Sequence, residues 1–500
     1  MTNQEKWKRL SAILDEAEAY GRAIGKLSFD MECCAPEEGM EQAGDDMALL
    51  GKHIHALMHS PEYAALVGEL HADGEGLSFP QRKTVEHLWE RYEKEKNLTE
   101  EFDHAWSVAA NRAYGKWLAA KRASDFSLFR DSLAEVVDYT RRAIDLRDEK
   151  PSTYYNACLD DTEKGGSEAQ LDAFFDALKA RIVPLMRRIQ AEGKPIREDF
   201  LTRPCPIPEQ EAFSRYLLEA EGLRKSALVL MTTEHPFTTE FGPHDVRVTT
   251  HYFEENFISN IFSTLHEGGH ALYELHTGRE LARTCLGNGV SMGIHESQSR
   301  FYENIIGRSR AFCSVLLPWL KEHFPAQLED VTEEQFYRMV NRSRPSLIRT
   351  EADELTYCLH IMVRYELEKQ MFAGTITAHD LPTAWNRLYK EYLGVDVPSD
   401  REGVLQDSHW ANGNIGYFPS YAIGSAYGAQ YLLEMQKDLD VEAAVRSGKL
   451  TAINRWLEEK IWKYGCMKDP VALFESVCGP FRPEEYVAYL EKKFTEIYEL

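Results

Sequence analysis

The sequence predicts a mainly α-helical protein with a very small β-sheet beside one central helix. Three observations carry this. Apolar residues recur at spacings of three, four and seven along most of the chain, as amphipathic helices require. The breaks between these stretches are short: Pro36, Asp73-Gly74-Glu75-Gly76, Pro151 and Gly165-Gly166. Alternating β-branched residues stand out once, over Asp245-Val246-Arg247-Val248-Thr249-Thr250-His251-Tyr252.

Taken in order, Leu10, Ile13, Leu14, Ala17, Ile24 and Leu27 line one face of the first helix. Similar patterns run over 39–58 and 79–94, and further helices are predicted at 100–122, 125–147, 167–192 and 208–223. Pro184 is expected to kink the helix that contains it. The strand at 245–252 precedes a helix around Thr264–Leu272, and a short strand or Gly-rich loop is expected over Cys285–Ile294. Helices then return at 295–322, 333–342, 351–373, 380–395, 423–437, 441–447, 450–462 and 484–498. No low-complexity tract, long linker or repeat divides the chain. The reading is one domain over 1–500, with 1–120 as a mobile helical cap and the chemistry-bearing motifs within 230–430.

Composition narrows the function. Of the 500 residues 43% are hydrophobic and 28% charged, as in ordinary soluble proteins. A net charge of -24, from 81 acidic and 57 basic side chains, argues against binding nucleic acid or an anionic membrane surface. Residues Met1–Lys26 contain no apolar signal segment, and no apolar run is long enough to span a bilayer. The cysteine number, nine, is odd, Cys33 and Cys34 are adjacent, and no Cys-x-x-Cys occurs. A disulfide framework is therefore disfavoured and a cytoplasmic location expected.

The organising stretch is His266-Glu267-Gly268-Gly269-His270. On a helix the two histidines lie one turn apart on one face, so both rings can meet one metal ion. Glu267 can then reach a water beside that ion. Gly268 and Gly269 each cost a helix about 1 kcal/mol relative to alanine. A helix that tolerates both implies close approach of a neighbour or substrate. The bare motif can also arise by chance. Glu296, 26 residues beyond His270, is the candidate third ligand, completing a two-His, one-Glu site with one open position. Its alternative role is that of an acid in a first helical turn. Glu274 and His276 rank below it as ligands.

Several further motifs follow one another: His235-Pro236-Phe237, Asp245-Val246-Arg247-Val248-Thr249, His295-Glu296-Ser297-Gln298, Ile348-Arg349-Thr350-Glu351-Ala352-Asp353 and Gly403-Val404-Leu405-Gln406-Asp407-Ser408-His409-Trp410. With the metal motif, this set resembles peptidase family M32, the carboxypeptidase Taq type, in its bacterial branch. The resemblance implies a gluzincin-type helical fold with a deep groove, like neurolysin and angiotensin-converting enzyme. It implies His266, His270 and Glu296 as zinc ligands and Glu267 as general base. It implies release of single C-terminal residues from peptides, with broad preference and poor action at proline. Zinc is the implied metal, one per chain, with cobalt as a substitute, and the assembly implied is a cytoplasmic homodimer.

A carboxypeptidase must recognise a free carboxylate, and the planar fork of arginine suits that task. Arg349 is the first candidate; its alternative is a helical ion pair with Asp353. Arg247 is the second; Asp245, on the same strand face, could pair with it instead. The stretch Ala411–Tyr421 reads as a Gly- and Tyr-rich loop, and His409, Tyr417 and Tyr421 are candidate oxyanion donors or packing aromatics. His235 is placed as a groove residue or a turn cap. Two rival functions remain at this stage: a neurolysin-like oligoendopeptidase, and a non-catalytic peptide- or metal-binding protein.

Overall fold

Ten of the described α-helices begin with a side chain that accepts a hydrogen bond from one of the first unpaired backbone N–H groups. The structure, a computed structural model, describes residues 1–282 and 284–500. Thr2 and Glu5 form a reciprocal capping box on the helix Asn3–Cys33, and Ser78 with Gln81 does so on Phe79–Glu95. The long helix Glu168–Glu192 runs on through Pro184.

Three expectations need correction. The stretch 295–322 is not one helix. A helix Met292–Arg300 passes into a π-helical segment, Phe301–Gly307, and a second helix follows at Arg310–His323. The helix expected from 351 begins at Tyr357; Asp353 is held in the turn before it, where its carboxylate accepts from the Leu355 and Thr356 amides. The stretch 411–421 is only partly loop: Tyr417 caps a helix, Phe418–Asp438, that already contains Tyr421. Pro419, in its first turn, is pre-shaped for a helix start.

The sheet has three strands: β1 (Leu228–Thr232), β2 (Thr238–Glu240) and β3 (Val246–Thr250). β3 is central, parallel to β1 and antiparallel to β2. Val246, Val248, Thr249 and Thr250 are buried on β3. That strand lies against the helix Phe257–Leu275, which carries both motif histidines and is buried almost all round, not on one face alone.

Two hydrophobic clusters divide the interior. Leu10, Ile13, Tyr63, Leu66, Val67, Leu70, Val85 and Leu88 form a small core of their own among the first helices. The helix Glu100–Ala123 instead joins the main core through Ala113, Trp117 and Ala120, and Trp117 Nε1 donates to the Leu405 carbonyl at 3.1 Å. The first four helices thus share a small core of their own, while Glu100–Ala123 packs with the main one. The nine cysteines are all unpaired. No described helix is long and apolar enough to cross a membrane.

Candidate active site

The glycines of the central motif are explained by what lies against them. A Cβ on Gly269 would stand 2.8 Å from the Gln298 carbonyl oxygen and Ser299 Cα; one on Gly268 would stand 1.9 Å from a Glu221 carboxylate oxygen. The motif helix therefore presses directly on Met292–Arg300, and that contact carries Glu296 to the two histidines. A third small residue works the same way: a Cβ on Gly424 would lie 2.7 Å from Glu296 Cβ, so the helix Phe418–Asp438 closes on the far side.

His266, His270 and Glu296 place one ligand atom each within 4.8 Å of one another. Glu296 Oε2 lies 3.6 Å from His266 Nε2 and 3.5 Å from His270 Nε2. Both are long for a hydrogen bond. Two ligands held about 2.0–2.1 Å from one tetrahedral ion stand about 3.3 Å apart, so the spacing fits a shared zinc-sized cation.

The other ring nitrogens are engaged. His266 Nδ1 donates to Glu303 Oε2 at 2.9 Å. His270 Nδ1 lies 2.6 Å from His295 Nδ1, and His295 Nε2 lies 2.6 Å from Glu274 Oε1. With His295 donating to Glu274, its Nδ1 accepts from His270, and His266 and His270 both keep Nε2 lone pairs with which they could meet a cation. Glu274 thus pairs with His295 and stands outside the candidate metal cluster. His276 points elsewhere: its Nδ1 donates to the Leu272 carbonyl and its ring packs on Trp462.

Burial opposes ionisation of Glu296, yet Arg300, His266 and His270 hold its carboxyl well below the usual range. Arg300 Nε donates to Glu296 Oε1 at 2.7 Å. Burial, reinforced by the neighbouring His295 and His266, pushes His270 down to about 3, so its imidazole is neutral and ready to coordinate. Glu267 is buried beside the cluster, and Thr238 Oγ1 lies 2.7 Å from its Oε2. Burial raises the Glu267 carboxyl against the pull of His266 and that hydrogen bond.

Arg349 is buried; its Nε and Nη2 donate to Asp407 at 3.0 and 2.8 Å, and its Nη1 donates to the Tyr357 hydroxyl at 3.0 Å. The helical pair with Asp353 does not form; that carboxylate accepts instead from the Arg344, Leu355 and Thr356 amides. Arg364 Nη2 donates to the same Asp407 at 2.6 Å, so two guanidiniums share one carboxylate. Arg247 pairs with both oxygens of Asp245 and stacks on Phe29 and Phe241. His235 is exposed, and its carbonyl accepts from Thr233 Oγ1, as a turn residue would. His409 Nε2 and the Tyr421 hydroxyl are hydrogen-bonded at 3.1 Å, and the Tyr417 ring lies 5.4 Å from that of Tyr421. Burial pushes His409 down to about 4.

Sequence comparison covers the same ground. The family profile described as Carboxypeptidase Taq (M32) metallopeptidase matches residues 9–494. The chain belongs to that family. Carboxypeptidase 1 of Bacillus subtilis is 37% identical over 495 residues, spanning 98% of both chains. Thermostable carboxypeptidase 1 of Thermus thermophilus is 36% identical over 517 residues, spanning all of both. The crystal structure of the M32 carboxypeptidase from Deinococcus radiodurans superimposes with a TM-score of 0.95 at 34% identity, covering 99% of this chain and 100% of that one. This M32 chain is thus a metal-dependent carboxypeptidase with the all-but-helical fold of its relatives. Its candidate metal cluster lies inside the matched region.

Sequence reasoning missed Glu303, Thr238 and Asp407 as partners of site residues. Asp407 lies within the Gly403–Trp410 motif, and an acid set among motifs that carry Arg247 and Arg349 is a signal for an ion pair. Glu303 left no such signal, because it depends on the π-helical segment.

Proposed function

We propose that the protein releases single amino acids from the C-terminus of peptides, with broad side-chain preference and poor action at proline, using zinc held by His266, His270 and Glu296. The convergence of two Nε2 lone pairs and one Glu296 oxygen, beside a buried Glu267, is the observation that carries this reading. A bound zinc ion supplies Lewis acidity, which lowers the pKa of water and polarises a carbonyl; cobalt can take its place. Glu267 accepts the proton of the attacking water and returns it to the leaving amine. Thr238 orients the Glu267 carboxylate for that exchange. Tyr421, His409 and Tyr417 stand as donors to the developing oxyanion.

Arg349 is the group we assign to the substrate carboxylate. Asp407 neutralises only one of the two guanidiniums that share it, so Arg349 and Arg364 retain an excess positive charge for an anion to meet. Arg247 is the second choice and also ties the strand to the first helix through Phe29. His235 remains a candidate for the groove rim.

The same reading includes a cytoplasmic homodimer. It rests on the family resemblance and on cysteines that are odd in number and unpaired. Sedimentation showing a species of single-chain mass alone would remove the dimer. The mechanism is tested by Glu267→Gln, which is expected to bind stoichiometric zinc with almost no turnover; full activity in that variant would require another base.

A further inference from the structure

One buried acid outside every motif grips the segment that carries the proposed oxyanion donors. Glu368 lies on the helix Tyr357–Ala373 and is fully buried. Its Oε1 accepts from Trp410 Nε1 at 2.7 Å. Its Oε2 accepts from the Tyr155 hydroxyl at 2.8 Å and from the Gly416 amide at 3.0 Å. Trp410 directly follows His409, and Gly416 directly precedes Tyr417. A single carboxylate therefore anchors the segment at both ends, one residue from a proposed donor in each case.

The segment between those anchors is tightly built. The His409 carbonyl accepts from the amides of Asn412 and Asn414, at 3.1 and 2.9 Å. Gly416 adopts φ +77°, and a Cβ there would stand 2.7 Å from the Cys158 carbonyl. Its amide is thereby pressed against the Tyr154–Thr162 helix and turned toward Glu368. Beyond it, Tyr421 bonds to His409. The Tyr357 ring links this group to the metal cluster: it lies 6.5 Å from the Tyr421 ring and under the Arg300 guanidinium at 4.0 Å, and Arg300 holds Glu296.

We propose that Glu368 is a positioning residue for the reaction, fixing the spacing of His409, Tyr417 and Tyr421 by holding the Trp410 and Gly416 ends of the segment together. This rests on the reading that those residues stabilise the oxyanion. Three donors converge on Glu368, so the site needs an acceptor at both oxygens. Glutamine has nearly the same shape but carries only one acceptor. Its amide nitrogen must face either the Trp410 N–H or the Gly416 N–H, and one anchor is lost. Aspartate is a methylene too short to reach both.

The test is a double-mutant cycle on the zinc-loaded enzyme. Glu368→Gln is expected to keep one zinc per chain and a KM within about twofold, while kcat falls about ten- to a hundredfold, the scale of a misplaced reacting group. In a Tyr421→Phe background the same substitution is expected to cost much less, since the donor it positions is already gone. Unchanged kcat in Glu368→Gln, a matching loss of zinc, or full additivity with Tyr421→Phe would overturn the proposal. If Glu368→Gln fails to fold, Trp410→Phe removes one anchor and should give the same split between kcat and KM; its absence would also overturn it. Failure of the underlying reading looks different: Tyr421→Phe, Tyr417→Phe and His409→Gln would each retain full activity, and the positioning role would fall with it.

Discussion

Glu303 accepts the Nδ1 proton of His266 at 2.9 Å although the two residues are 37 apart in sequence. The π-helical segment Phe301–Gly307 makes this possible. Such segments displace side chains from the register of the helix they continue and recur at functional sites. Here Arg300 and Arg308 also reach Glu303, which keeps it ionised against the cost of burial. Glu303→Ala should lower zinc affinity about 10–100-fold by freeing the His266 ring, and titration against a chelator would show it. Unaltered affinity would mean that Glu303 serves packing alone.

His270 has a longer chain behind it, through His295 to Glu274. The Gly289 backbone closes over that chain: a Cβ on Gly289 would stand 2.6 Å from His295 Cδ2. His295→Ala should weaken zinc binding more than Glu274→Ala, because it removes the direct partner of the ligand. The reverse order in a chelator competition would break the chain as described.

Gly268 and Gly269 should be intolerant of alanine for different reasons. At Gly269 the obstacle is the backbone of the Glu296 helix, so Gly269→Ala should separate the ligand helices and lose zinc. At Gly268 the obstacle is the Glu221 side chain, whose two oxygens have no hydrogen-bond partner. Gly268→Ala should cost about 1–3 kcal/mol, the usual scale of overpacking. Adding Glu221→Ala should recover part of that loss in thermal unfolding. Strict additivity would place the conflict elsewhere.

Glu163 supplies a pH dependence. It accepts from Ser291 Oγ at 2.7 Å and from the Gly293 amide at 2.9 Å, at the start of the helix that carries Glu296. Burial raises it from 4.5 to about 7, against the pull of those two bonds. The folded state therefore binds more protons than the unfolded state between these values. Its contribution is fully present below 4.5 and is lost as pH rises through about 7. The loss is on the order of 3 kcal/mol. Glu163→Gln removes this titration, so its melting temperature relative to the unmodified chain should rise between pH 5 and pH 8. Parallel curves would remove the effect.

How much of this was legible beforehand follows from the range of each interaction. His266, Glu267 and His270 were readable because helical spacing alone puts them together. Glu296 needed only a second helix in close contact, which the paired glycines already implied. The partner of Arg349 was not legible, since Asp407 lies 58 residues away and the expected partner Asp353 accepts from backbone amides beside it instead. β1 and β2 were not visible: β2 has three residues, too few to show alternation, and the burial pattern of β1 does not alternate. Glu368 was silent because it sits in an otherwise ordinary buried helix. Its role appears only when Trp410, Gly416 and Tyr155 are brought to it by the fold.

The direction of attack on the peptide is the central claim, and one time course tests it. The zinc-loaded protein is incubated with a peptide bearing a free C-terminal carboxylate and, separately, with its C-terminal amide, and the products are read by mass spectrometry. The expected result is a ladder that shortens one residue at a time from the free acid, and an intact amide. Internal fragments, or equal shortening of the amide, would contradict it.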